Sequence, residues 1–137
     1  WFGFPSRKLS VIGVTGTDGK TTTVHMIYQI LKDAGKRVSM ISTVSALIES
    51  EILDTGFHVT NPGAKDLQRY IKLAKKSGSE YLVLEVTSHG LDQFRVWGIK
   101  FDIGVITNIT PEHLDYHKKF ESYIKTKAKL IKKVRRL

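Results

Sequence analysis

A glycine-rich loop that ends in a lysine and a threonine follows an apolar run, and residues 13–23 read GVTGTDGKTTT. Glycines let a backbone fold around an anion, and the N-terminus of a following helix presents N–H groups to it. Lys20 would add a positive charge, and Thr21 would offer its hydroxyl to a magnesium ion. The spacing is the shorter G-T-x-G-K-T form, because Val14 lies five residues before Gly19. The pattern predicts a loop that binds nucleotide phosphates; the alternative is a glycine-rich turn without a ligand.

A carboxylate interrupts the apolar segment that leads into LEVTSHGLDQFR, residues 84–95. Burying the charge of Glu85 in a strand is costly unless a cation compensates it. Strand alternation places Glu85 on the face opposite Leu84 and Val86. Magnesium near the phosphates is the natural cation, because hard cations prefer oxygen ligands; the alternative is a strand-end salt bridge. Polar side chains follow at the rim of the sheet, where an anionic or sugar-bearing substrate would bind: Thr87, Ser88, His89 and Arg95.

Two histidines four residues apart occur in TNITPEHLDYH, residues 107–117. His113 and His117 taken alone suggest a zinc pair on one helix face. The helix is expected to begin only at about this point, however, and no third ligand with supporting spacing is evident. We therefore favour His113 as a magnesium-linked or phosphate-adjacent residue over a zinc ligand or a structural histidine.

One lysine near the end of the chain falls on an apolar stripe. Lys127 shares the stripe with Phe120, Ile124, Ile131 and Val134. A partly buried lysine loses its charge readily and becomes a reactive amine. The residues alone favour the simpler interpretation, in which the stem packs and the ammonium group reaches water.

These residues follow short segments that read as buried strands of a parallel sheet, and helical segments alternate with them. The predicted strands are 9–15, 37–43, 81–87 and 102–108. The first helix begins at Lys20 and is closed by Gly35, with Val24, Ile27, Ile30, Leu31 and Ala34 inward. The second covers 64–77 before Gly78, with Leu67, Tyr70, Ile71 and Ala74 inward, and the third begins near Lys119. The order predicts an α/β fold, a mostly parallel sheet flanked by helices, whose ligands bind at the carboxyl ends of the strands.

Composition is that of an ordinary globular domain, with 137 residues, 41% hydrophobic and 26% charged. We expect one domain over residues 1–137. No apolar run approaches the length of about 18 residues that spans a membrane, and no signal peptide is evident, so a soluble cytoplasmic protein without membrane contact is expected. The absence of cysteine excludes disulfides and thiolate metal sites.

The net charge of +9 raises the question of nucleic-acid binding. Basic residues crowd the last twenty positions: Lys118, Lys119, Lys125, Lys127, Lys129, Lys132, Lys133, Arg135 and Arg136. No aromatic-interleaved RNA-binding pattern or helix-turn-helix pattern accompanies them. A solvated helix face is therefore favoured, and a nucleic-acid partner is not expected.

Four motifs together resemble the Mur ligase family, specifically its central ATP-binding domain, which is P-loop NTPase-like. They are VTGTDGKTTT, EVTSHGLDQFRV, TNITPEHLDYH and YIKTKAKL, in the family's order. The most similar type is the tripeptide synthetase, which extends UDP-N-acetylmuramoyl-dipeptide in peptidoglycan synthesis. The resemblance implies that ATP phosphorylates a substrate carboxylate and that an amine then attacks the acyl phosphate to form an amide.

The resemblance also implies roles for individual residues. The catalytic set is Lys20, Lys127 and His113, with Lys127 carbamoylated by carbon dioxide. The nucleotide set is Gly16, Thr17, Asp18, Gly19, Lys20, Thr21, Thr22 and Asn108. The magnesium set is Thr21, Glu85 and His113. The set expected to bind UDP-MurNAc-peptide is Thr60, Asn61, Thr87, Ser88 and Arg95.

Three positions depart from the family pattern: Asp18 replaces a common Asn, Glu112 a common Asp, and Asn61 a common Thr. The family's N-terminal and C-terminal domains are also lacking in these 137 residues, so we expect weak binding of magnesium-ATP and little ligation by the chain alone. An oligomer or the missing domains would complete the site.

Two other hypotheses stay open. A nucleotide-binding or assembly module would dock a partner or nucleic acid through its basic last helix. A folate-type polyglutamate ligase shares the phosphate loop, but EVTSHGLDQFRV argues against it.

Overall fold

Strands and helices alternate along the part of the chain that the computed structural model describes, residues 5–48, 51–54, 61–110 and 120–134. A 3-10 helix, Pro5–Lys8, precedes the first strand. The strands are β1 Ser10–Thr15, β2 Val38–Ile41, β3 Ser45–Ile48, β4 Glu51–Asp54, β5 Tyr81–Glu85 and β6 Ile103–Ile106. The helices are α1 Lys20–Asp33, α2 Ala64–Lys76, α3 Ser88–Asp92 and α4 Phe120–Lys132.

The six strands form one sheet in the order β4-β3-β2-β5-β1-β6. Strands β1, β2, β5 and β6 are parallel, which confirms the predicted α/β fold with a mostly parallel sheet. Strands β3 and β4 add an antiparallel extension at one edge, which the sequence analysis did not anticipate. Each of them has only four residues, too few to display a clear alternation of apolar and polar side chains.

Helices cover both faces of the sheet, and alternation along β5 decides which residues each face receives. Leu82 and Leu84 pack into a core with α2 and α4, whereas Val83 packs into a second core with α1. Glu85 follows the same alternation and therefore lies on the α1 face, opposite Leu84 as predicted. This alternation brings the carboxylate towards the helix that follows the phosphate loop.

Two glycines close the first two long helices, as predicted. Gly35 and Gly78 have φ of 72° and 81°, the left-handed conformation that commonly follows a helix. The predicted inward face of α2 is confirmed, because Leu67, Ile71 and Ala74 are buried; Tyr70, also predicted inward, packs against the core while partly exposed.

The predicted inward face of α1 was partly wrong. Ile30 is 64% exposed, and Ala34 is also exposed. The buried side chains are Val24 and Tyr28, with Ile27 and Leu31 partly buried. Ile30 lies three residues from Ile27, near the boundary of an apolar stripe about 100° wide, so periodicity alone did not show that Ile30 is outside the buried face.

Strand β6 and helix α4 also differ from the prediction. Ile103 and Ile106 are exposed, because β6 lies at the edge of the described sheet rather than inside it. On α4 the buried side chains are Tyr123, Thr126, Lys127 and Leu130, whereas Ile124 is exposed. The face of α4 that meets the sheet is therefore rotated from the predicted stripe. Among the described helices, none combines the length and the apolar character needed to cross a bilayer.

Candidate nucleotide-binding site

The carboxyl ends of the parallel strands meet at one edge of the sheet, where they surround a cavity of about 220 Å³. Register brings Val14 of β1 beside Glu85 of β5, and Thr15 beside Ile106 of β6. The lining residues come from the loop after β1 and the first turn of α1, the loop after β2, the end of β5, the start of α3, and α4: Gly16, Lys20, Thr21, Thr43, Glu85, Thr87, Ser88, Tyr123 and Lys127.

The phosphate loop turns into α1 at Gly19, whose φ of 74° lies in the left-handed region that a side chain would disfavour. The first N–H groups of a helix lack intrahelical partners, and none of the described side chains caps α1. These N–H groups and the positive end of the helix dipole favour an anion. The ammonium group of Lys20 donates to Thr17 O at 2.6 Å. Thr22, another predicted nucleotide contact, is exposed in the first turn.

The loop after β6 holds the phosphate loop in place. Asn108 Oδ1 accepts hydrogen bonds from the N–H groups of Thr17 (3.0 Å) and Asp18 (2.9 Å). Thr107 Oγ1 donates to Asp18 O at 2.6 Å. The side chain of Asn108, predicted to contact the nucleotide, thus fixes the conformation of the loop itself, while Asp18 lies exposed.

The carboxylate of Glu85 is almost fully buried, with 1% exposure, and faces the first turn of α1. It accepts hydrogen bonds from Thr21 Oγ1 at 3.0 Å and from the N–H of Thr43 at 3.2 Å. Thr43 was missed in the sequence analysis; its position two residues after the end of β2 was the available signal.

The oxygen atoms of Thr21 and Glu85 suit a hard cation such as magnesium. Within the described ranges, no group of three or more His, Cys, Asp or Glu side chains is arranged to hold a metal. His113, predicted as a further ligand, lies outside the described residues, as does Thr60. The described pair therefore fits a magnesium ion that is also bound by phosphate oxygens and water, as this ion usually is.

Lys127 is buried beside the phosphate loop, with 1% exposure, so the interpretation in which its ammonium group reaches water was wrong. Its Nζ donates to Gly16 O at 2.5 Å and lies 4.5 Å from the centre of the Tyr123 ring. Tyr123 was also missed, although its spacing of four residues places it on the same helix face as Lys127.

The hydroxyl of Tyr123 lies 3.0 Å from Thr17 Oγ1. Thr17 Oγ1 donates to Thr110 O and accepts from Thr110 N, so its single hydrogen is already used. Tyr123 must therefore donate to Thr17. Helix α4, the phosphate loop and the loop after β6 are linked at this point.

Four residues predicted to bind the muramyl substrate are described. Asn61, Thr87 and Ser88 lie at the start of α3, and Arg95 follows its end. Thr87 and Ser88 are buried and line the cavity. Asn61 is fully buried, and Arg95 Nη1 donates to its backbone oxygen at 2.6 Å. The structure thus brings these four residues into one region, but only Thr87 and Ser88 among them line the cavity.

Comparison with known proteins agrees with this arrangement. Residues 14–136 match the family described as the Mur ligase middle domain. A UDP-N-acetylmuramoyl-L-alanyl-D-glutamate--2,6-diaminopimelate ligase of Parabacteroides distasonis is 43% identical over 129 residues, which are 94% of this chain and 26% of that protein. The chain thus spans about a quarter of the length of this relative.

Solved structures show the same relationship. A structure of a UDP-N-acetylmuramoyl-L-alanyl-D-glutamate--2,6-diaminopimelate ligase superposes with a TM-score of 0.80 and 33% identity, over 91% of this chain and 25% of that one. MurF ligase from Thermotoga maritima in complex with ADP has a TM-score of 0.69 and 27% identity, over 96% and 28% of the two chains. Sequence match and fold together show that the chain belongs to the Mur ligase family, in which it corresponds to the middle domain.

Proposed function

We propose that this chain is the ATP-binding core of an ATP-dependent ligase that forms an amide bond on a UDP-N-acetylmuramoyl-dipeptide. The main support for this proposal is that Lys20 and Thr21, which follow the phosphate loop, line the same cavity as the buried carboxylate of Glu85. The names of these relatives support UDP-N-acetylmuramoyl-L-alanyl-D-glutamate as the acceptor and 2,6-diaminopimelate as the added amino acid. The ADP bound to the Thermotoga maritima ligase supports an adenine nucleotide.

Different residues around the cavity are proposed to bind the phosphates and magnesium. Lys20 and the N-terminus of α1 bind the β- and γ-phosphates through charge and N–H groups. Thr21 and Glu85 would hold one magnesium ion, and His113 would bind a second, as the sequence resemblance implies. Such an ion neutralises phosphate charge during transfer.

The proposed reaction has two steps. An oxygen of the substrate carboxylate attacks the γ-phosphorus of ATP, and the bond to the β-phosphate bridging oxygen breaks to give acyl phosphate and ADP. The amine then attacks the acyl carbon, and phosphate leaves with the formation of an amide and release of a proton. Lys20 stabilises the phosphoryl oxygens in the first step. Thr87, Ser88 and Arg95 are proposed to bind the substrate, with Thr60 by resemblance.

Carbamoylation of Lys127 is part of the proposal. The neutral amine adds to carbon dioxide and loses one proton, which leaves a carbamate anion with one N–H. That N–H retains a donor for Gly16 O, to which Lys127 Nζ already donates. The resulting negative charge would lie at the cavity, where it would favour a divalent cation.

Ligation is proposed to require protein beyond these 137 residues, since the relatives named above are about four times as long. We propose that the protein binds the UDP-linked precursor and ATP in the cytoplasm.

Docking of nucleic acid by α4 receives less support from the structure. Lys127 is buried, and Lys129 pairs with Asp92 at 3.0 Å. Two lysines of the basic stretch are therefore committed to contacts within the domain. We propose that the other basic residues of this stretch form a helix face that is exposed to solvent.

Calorimetric titration of the 137-residue chain with a non-hydrolysable ATP analogue and magnesium tests the proposed function. Binding is expected in the wild type, and Lys20→Ala should weaken it at least about tenfold, because a charge-assisted contact to phosphate is lost. Lys36→Ala removes an exposed lysine beyond the other end of α1 and serves as the matched control. A folded wild-type chain that binds no analogue would refute the proposal.

A further inference from the structure

The side-chain amide of Asn61 is fully buried, with 0% exposure, and it is bonded to the turn between β5 and α3. Its Nδ2 donates to Glu85 O at 2.5 Å. Its Oδ1 accepts from the N–H of Thr87 at 2.9 Å and from Thr87 Oγ1 at 3.0 Å. One side chain thus satisfies polar atoms on both sides of the point where the strand ends.

These contacts determine how α3 begins. Thr87 is the N-cap residue of α3, and its Oγ1 accepts from the N–H of Gly90 at 2.9 Å. A hydroxyl has one hydrogen, and that hydrogen goes to Asn61 Oδ1, which leaves the lone pairs of Thr87 Oγ1 for Gly90. Asn61 therefore orients the hydroxyl that caps the helix.

Glycine at position 90 allows α3 to approach the same amide closely. A Cβ atom added at Gly90 would collide with Asn61 Oδ1 and lie 3.1 Å from Thr87 Oγ1. The following residue, Pro62, restricts the backbone of Asn61 to extended conformations. Arg95, which follows the end of α3, donates a hydrogen bond from Nη1 to the carbonyl oxygen of Asn61. The backbone of Asn61 is thus held by Arg95, and its side-chain amide is held by Glu85 and Thr87.

From these contacts we infer that Asn61 is a positioning residue for the magnesium site and does not itself bind substrate. It holds the backbone of Glu85, whose carboxylate meets Thr21, and it holds the hydroxyl of Thr87 at the cavity wall. Groups that orient a metal ligand from behind strongly affect metal affinity. This inference rests on the proposed function, and it differs from the sequence expectation that Asn61 binds the muramyl substrate.

Magnesium affinity at a fixed concentration of ATP analogue, measured without acceptor substrate, separates the two roles. Asn61→Ala should lower the apparent magnesium affinity about tenfold, while analogue binding in EDTA stays as in the wild type. Asn61→Asp keeps the volume and the oxygen towards Thr87 but replaces the donor to Glu85 O by an acceptor, so it should lower magnesium affinity as well. Gln68→Ala is the matched control, because Gln68 also donates an amide hydrogen to a backbone oxygen, that of Trp97, but from an exposed site.

Three outcomes would overturn the inference. Unchanged magnesium affinity in Asn61→Ala, with loss of binding of UDP-MurNAc-dipeptide, would make Asn61 a substrate-binding residue. A wild-type chain that binds no analogue with or without magnesium would remove the proposed function and this assignment with it. Because truncation of a buried side chain can unfold a protein, hydrogen exchange in the wild type supplies a test without a variant. Exchange of the Thr87 amide at the rate of an exposed amide would contradict the bond to Asn61.

Discussion

Thr21 Oγ1 donates a 3.0 Å hydrogen bond to the carboxylate of Glu85, which joins the first turn of α1 to the end of β5. The two residues are 64 positions apart in sequence, and the pairing of β1 with β5 brings them together. The bond places a buried anion beside a loop that is suited to bind phosphate. An anion in this position is unfavourable for phosphate unless a cation lies between them.

Glu85→Gln should reduce the magnesium dependence of nucleotide binding. The amide keeps the size of the side chain and an oxygen for the N–H of Thr43, so the fold is expected to persist. Loss of the negative charge should weaken binding of the magnesium-loaded ATP analogue at least about tenfold, whereas binding in EDTA should stay the same or tighten, because the carboxylate no longer repels phosphate. Calorimetry measures both values, and Glu80→Gln, in the exposed pair with Arg37, is the control. Magnesium dependence equal to that of the wild type would exclude Glu85 as a ligand.

Tyr123→Phe should remove a hydrogen bond to the phosphate loop without creating a cavity, because the aromatic ring is retained. The variant loses the hydrogen bond to Thr17 and retains the ring below Lys127. We expect the free energy of unfolding to fall by about 1 kcal/mol, the usual value of one such bond. Urea denaturation measures this change.

Tyr28→Phe is the control for that measurement, since the described residues include no hydrogen-bond partner for the Tyr28 hydroxyl. A loss of stability of the same size in both variants would show that the Thr17 bond is not the cause.

Gly90→Ala and Gly63→Ala should differ sharply in stability. At Gly90 the new methyl group would collide with Asn61 Oδ1, so a loss of about 1–3 kcal/mol is expected. At Gly63 the nearest atom would be Asp66 Oδ2 at 3.6 Å, and φ is −54°, which alanine adopts readily. Gly63→Ala should stay within about 1 kcal/mol of the wild type, because lower chain entropy in the unfolded state offsets a poorer N-cap. Equal melting temperatures for the two variants would contradict the close packing of α3 on Asn61.

Carbamoylation of Lys127 should be visible by carbon-13 NMR in labelled bicarbonate. The wild type is expected to show a carbamate resonance that disappears in Lys127→Met. Lys129→Met removes the neighbouring lysine of the Asp92 pair and should leave the resonance intact. A resonance that survives in Lys127→Met, or a wild type that shows none at high bicarbonate, would reject the carbamate.

The local parts of the site were predictable from sequence because short-range chemistry determines them. A strand, glycines, a lysine and a helix in order specify the phosphate loop, and alternation along β5 placed Glu85 on the correct face. Gly35 and Gly78 likewise closed their helices where expected, because few other residues adopt the left-handed conformation.

The tertiary structure alone decided which distant groups meet. Periodicity placed Lys127 on an apolar stripe, but only the packing of α4 against the sheet showed that its amine reaches Gly16 and not water. The amide of Asn61 gave no local signal, since its partners at Glu85 and Thr87 are 24 and 26 positions away. Sequence determines what a residue can donate, accept or bury, whereas the partners of a buried polar group depend on contacts between segments far apart in the chain.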